Sequence, residues 1–151
     1  MTREKSSLLL KQPRSVTNPV SEKENLSSLR ALVADDSEAS RSVLGAQLAS
    51  IGITCITFAD DGLHAIALCE DQQFDVILMD LRMPRVDGFI ATEKIRSLGE
   101  RTTKPFIVGV SAQSNTLSNL DAQLAGMDRF IVKPINQELL RSFICDHFSC
   151  S

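Results

Sequence analysis

The sequence predicts a doubly wound α/β domain built on a five-stranded parallel sheet. Two observations carry this. From Leu29 onward, short apolar runs alternate five times with longer amphipathic stretches, at 29–34, 53–59, 74–79, 106–110 and 129–132. Three of these runs are nearly all apolar, as strands buried on both faces of a parallel sheet should be. A (βα)₅ order implies right-handed crossovers with helices on both faces.

Each intervening stretch carries helical spacing. Leu44, Leu48 and Ile51 mark the first helix, and Gly62, Ala65, Ile66 and Cys69 the second. Gly88, Ala91, Thr92 and Ile95 mark the third, Leu117, Leu120 and Leu124 the fourth, and Leu140, Phe143 and Ile144 the last. These residues recur every three or four positions, as an inward-facing helical stripe requires. Punctuation agrees: Gly52 and Gly126 follow helices, and Asn136 is placed to cap the last one with Glu138 in its first turn.

The chain of 151 residues is about one domain's worth. Residues 1–28 are polar, hold Pro13 and Pro19 and show no sustained period, so they read as a flexible leader or linker. Residues 29–148 form the expected domain and 149–151 a short tail. Leu8, Leu9 and Leu10 are too few for a signal-peptide core, and no run is long enough to cross a bilayer, so a cytoplasmic location without membrane insertion is expected. The leader carries five Lys/Arg against three Asp/Glu, and with a net charge of −3 the remainder carries −5. That balance, without Tyr or Trp, argues against direct nucleic-acid binding. Cys55, Cys69, Cys145 and Cys150 are not spaced as a zinc site and are expected to be reduced thiols.

In open α/β sheets function gathers at the C-terminal ends of the strands. The first run ends in Asp35-Asp36, the third leads into Asp80, the fourth into Ser111 and the fifth into Lys133. Each has a plain structural alternative: Asp36 or Ser111 as a helix cap, Asp80 as a turn former, Lys133 as a surface lysine. Together they make a chemically complete set. Three clustered carboxylates need a cation, and Mg²⁺ suits oxygen ligands plus a phosphate. Asp80 is then a nucleophile for phosphorus, while Ser111 and Lys133 supply donors and charge to the transferring group.

The stretches Val33-Ala34-Asp35-Asp36, Ile77-Leu78-Met79-Asp80-Leu81-Arg82-Met83-Pro84-Arg85-Val86-Asp87-Gly88, Val110-Ser111-Ala112 and Ala125-Gly126-Met127-Asp128-Arg129-Phe130-Ile131-Val132-Lys133-Pro134 resemble response-regulator receivers, most of all those of hybrid histidine kinases. The resemblance covers about residues 29–148. It implies a flavodoxin-like (CheY-like) sheet of order 2-1-3-4-5. It implies Asp80 as phosphoacceptor; Asp35, Asp36, Asp80 and the Arg82 backbone carbonyl as ligands of Mg²⁺, with Mn²⁺ as a substitute; Ser111 and Lys133 as phosphoryl contacts; and a cis Lys133–Pro134 peptide. Ser111 and Phe130 would form the switch, with Phe130 in place of the frequent Tyr. Arg82 and Gln113 would flank the hydrolytic water, and because neither is a carboxylate, modest self-dephosphorylation is expected.

The implied partners are a histidine kinase or histidine phosphotransfer protein, an unidentified downstream protein, and a second copy through the face of the fourth helix, fifth strand and fifth helix. On this reading the domain catalyses only its own phosphorylation and dephosphorylation and turns over no external substrate. A stand-alone regulator and a receiver cut from a hybrid kinase both fit. A haloacid-dehalogenase-like phosphatase would need an acid where Arg82 stands, and a flavodoxin-like cofactor binder would not place Asp35-Asp36 at its phosphate loop. The remaining alternative is a receiver used as an interaction module without phosphorylation.

Overall fold

The computed structural model describes residues 26–99, 104–112 and 116–149. Its elements follow the expected order: β1 (Arg30–Ala34), α1 (Glu38–Ile51), β2 (Cys55–Ala59), α2 (Gly62–Asp71), β3 (Val76–Asp80), α3 (Gly88–Arg96), β4 (Phe106–Ser111), α4 (Thr116–Ala125), β5 (Arg129–Val132) and α5 (Gln137–Phe148). All pairings are parallel and the sheet order is β2-β1-β3-β4-β5.

Burial explains why the runs differ in composition. All residues of β3 and β4 are buried, and all of β1 after Arg30, because these strands lie inside the sheet with helices on both faces. The edge strands β2 and β5 are only partly buried and correspondingly more mixed. Alternate strand residues feed two cores. Val33, Leu78 and Val108 pack with Leu44 and Leu48 of α1 and Leu140 and Ile144 of α5. Leu32, Ile77 and Ile107 pack with Ala65 of α2, Ala91 of α3 and Ala122 of α4.

Local chemistry sets the helix starts. Ser37, Asp61, Asp87 and Asn136 each accept a backbone N–H from the first turn of α1, α2, α3 and α5 respectively. The Lys133–Pro134 peptide is cis, as expected. Among the described residues no helix is long and apolar enough to cross a membrane.

Three expectations change. Leu120 and Leu124 of α4 are 50% and 76% exposed, so these two leucines do not face the core, and the small Ala122 and Ala125 pack inward; the Leu117 side chain lies outside what the structure describes. Leu26 is 1% exposed in the α1/α5-side core, so packed structure begins before residue 29. Cys55 and Cys69 are thiols outside any disulfide, but Cys145 is disulfide-bonded.

Candidate functional site

Parallel register brings the strand ends level. Ala34 pairs with Met79, so Asp35 and Asp80 emerge side by side. Asp80 pairs with Val110, which places Ser111 one residue beyond, and Ser111 pairs with Val132, just before Lys133. The Lys133 N–H also donates to the Ser111 carbonyl at 2.7 Å. The sheet thus gathers Asp35, Asp36, Asp80, Ser111 and Lys133 at one edge.

Asp35 is fully buried, and its carboxylate accepts three hydrogen bonds. Its Oδ2 accepts from Ser40 Oγ at 2.6 Å and from Lys133 Nζ at 2.9 Å, and its Oδ1 accepts the Ser37 N–H at 2.9 Å. Arg41 binds its carbonyl at 2.8 Å. Burial pushes the Asp35 carboxyl up, but the donors of Ser40, Ser37 and Lys133 outweigh it and hold the group below the ordinary carboxylate value. Ser37, Ser40 and Arg41 escaped the sequence reading; the Ser40 hydroxyl, five residues after an aspartate at a helix entry, was the available signal. Asp36, by contrast, is exposed, and Ser37 rather than Asp36 caps α1.

Asp80 is 6% exposed. Burial, then repulsion from Asp35, raises its carboxyl to about 6; attraction to Lys133 and the Arg82 N–H offsets this only in part, and Asp36 adds further repulsion. A buried carboxylate facing two others is poised for a cation. One oxygen from each of Asp35, Asp36 and Asp80 lies within 4.8 Å of the others, an all-oxygen donor set that fits Mg²⁺.

The loop from β3 to α3 closes this edge. Leu81 N–H bonds Val110 O at 3.0 Å, and Gly88 N–H bonds Leu81 O at 3.0 Å. Any Cβ at Gly88 would collide with the Asp80 carbonyl, so only glycine permits this turn. A cleft of about 630 Å³ opens beside the site, lined by Asp36, Ser111, Leu81, Met83, Pro84 and Phe89 among others. Arg82 is exposed at this cleft, while Gln113 lies outside the described residues. Phe130, paired with Gly109, is half-buried and lines a second groove of about 260 Å³ with Ala122, Met127 and Phe143.

A family model, the response regulator receiver domain, matches residues 31–144, and the chain belongs to that family. The sensor histidine kinase RcsC of Salmonella typhimurium is 36% identical over 110 residues, which are 73% of this chain and 11% of that kinase. The chain therefore spans about a tenth of that relative's length. The receiver domain of the histidine kinase CKI1 from Arabidopsis thaliana, solved with Mg²⁺ and BeF₃⁻, superposes with a TM-score of 0.72 at 32% identity, covering 87% of this chain and 96% of that one. The receiver domain of the sensor histidine kinase PA1611 from Pseudomonas aeruginosa, with magnesium in its active-site cleft, gives 0.71 at 28% identity, covering 80% and 98%.

Proposed function

We propose that this receiver accepts a phosphoryl group on Asp80 from a phosphohistidine donor in a kinase or phosphotransfer protein. The convergence of Asp35, Asp36 and Asp80 opposite Lys133 carries the reading. An Asp80 oxygen attacks phosphorus, the P–O bond forms as the P–N bond breaks, and the donor imidazole leaves with a proton from solvent. Bound Mg²⁺, or Mn²⁺ in its place, would neutralise the carboxylates and the phosphoryl oxygens. Asp35, Asp36, Asp80 and the Arg82 carbonyl would hold it. Lys133 supplies a second positive charge and Ser111 a hydroxyl donor to the transferring group.

Phosphorylation then biases a two-state element in which Ser111 moves toward the phosphoryl group and Phe130 turns inward. Lacking a hydroxyl, Phe130 selects its position by packing alone. The face of α4, β5 and α5 is the surface a downstream protein or a second copy would read. With neither Arg82 nor Gln113 a carboxylate, self-dephosphorylation is slow, and no external substrate is turned over.

Incubation with Mg²⁺ and a small phosphodonor, followed by intact-protein mass spectrometry, tests this. One added phosphoryl group, absent in Asp80→Asn, is expected. No gain under any donor or metal condition would favour a phosphorylation-independent interaction module.

A further inference from the structure

The loop between β3 and α3 that carries Arg82 is held from a second side, by a contact that none of the site chemistry uses. Asp61, the N-cap of α2, is buried, and its two oxygens are divided. Oδ1 accepts the His64 N–H at 2.7 Å, while Oδ2 pairs with the Arg85 guanidinium. Arg85 itself is two-thirds exposed and sits at φ 69°, a conformation uncommon for a non-glycine residue. The backbones also touch here: a Cβ at Gly62 would collide with the Val86 carbonyl. Val86 N–H closes a tight turn onto Pro84 O at 2.8 Å. The β2–α2 loop therefore clamps the segment three residues downstream of Arg82.

Resting on the phosphoacceptor reading above, we infer that the Asp61–Arg85 pair is a positioning latch: it fixes the β3–α3 loop so that the Arg82 carbonyl is held ready for the metal. A ligand on a short loop binds well only when the loop is already ordered. Asp61 and Arg85 touch neither metal nor phosphoryl group and act through that loop.

Simple electrostatics makes the opposite forecast for one variant. Removing the Arg85 cation near a cation site should tighten Mg²⁺ binding if charge alone matters; the latch requires it to weaken. Asp61→Asn keeps the α2 cap, since asparagine caps as well as aspartate, and deletes only the ionic partner. The test is calorimetric Mg²⁺ titration of the whole chain at pH 7.5, together with amide hydrogen exchange of residues 81–88 without metal. Asp61→Asn and Arg85→Ala should each weaken Mg²⁺ binding about tenfold and speed exchange at Val86 and Gly88. The double variant should be no worse than the poorer single, and Arg85→Lys should restore most of the affinity. Unchanged or tighter binding in Arg85→Ala, unaltered loop exchange, or additive losses would overturn the latch. If the unaltered protein bound no Mg²⁺, the phosphoacceptor reading and the latch would fall together; normal binding there with unaffected variants removes the latch alone.

Discussion

Lys133 Nζ donates to Asp35 Oδ2 at 2.9 Å, joining residues 98 positions apart and tying the last strand end to the first. The bond is made on the same oxygen that Ser40 holds. Asp35 is thus pinned by both a local and a distant donor. Because its folded carboxyl is held down, the stability it contributes is present above the unfolded value of 3.8 and is lost as pH falls through the folded value. Lys133→Met should cost about 1–2 kcal/mol in urea unfolding at pH 7, a moderate figure because the lysine is partly exposed. The gap should close well below pH 3.8.

Asp80 carries the opposite sign. A carboxyl raised from 3.8 to about 6 destabilises the metal-free fold once it ionises, a cost that grows between those values and is complete above the higher one. The difference corresponds to roughly 3 kcal/mol as an upper figure. Asp80→Asn should therefore stabilise the metal-free protein at pH 7.5, with no advantage below about pH 4. Denaturant unfolding across pH checks both limits; equal stability at pH 7.5 would contradict the burial of an ionised Asp80.

At the proposed metal site, protons and Mg²⁺ would compete for Asp80. Mg²⁺ affinity is expected to fall as pH drops through about 6. Calorimetry near pH 6 in two buffers of different ionisation enthalpy should show proton release on binding. A pH-independent affinity between 5 and 7.5 would place the metal away from Asp80.

Phe130→Ala should take up a phosphoryl group at the parent's rate yet transmit little of it. Amide exchange before and after phosphorylation reads this directly: the parent should change across α4, β5 and α5, and the variant should change less than half as much. Equal changes in both would show that Phe130 is ordinary packing.

Gly88→Ala tests the tight turn behind Asp80. A methyl group there meets the Asp80 carbonyl, which cannot yield without shifting the strand end. A loss of roughly 2–3 kcal/mol is expected, with weakened Mg²⁺ binding. A neutral substitution would mean that the loop relaxes freely.

Much of this was legible in advance, for identifiable reasons. The runs ending at Ala34 and Met79 could be read as strands because central parallel strands are buried on both faces and tolerate almost only apolar residues. Caps such as Asn136 were legible because capping is local, involving groups three residues apart. The leucines of α4 misled because helical period reports a stripe but not its partner; the shallow space against the sheet took Ala122 and Ala125 and left Leu120 and Leu124 outside.

By itself the sequence determined the alternation of five strands and five helices, the start of the last helix at Asn136, and which side chains of chemical consequence sit at strand ends. These follow from propensity, periodicity and capping, which act over a few residues. Only the tertiary structure decided that Asp35 is buried and held by Ser40 and Lys133, that Asp80 is raised to about 6, and that Asp61 reaches Arg85. Those outcomes depend on distances between segments remote in the chain, set by sheet register and helix packing. Asp35 and Asp36 stand adjacent in sequence, yet the fold buries one and exposes the other.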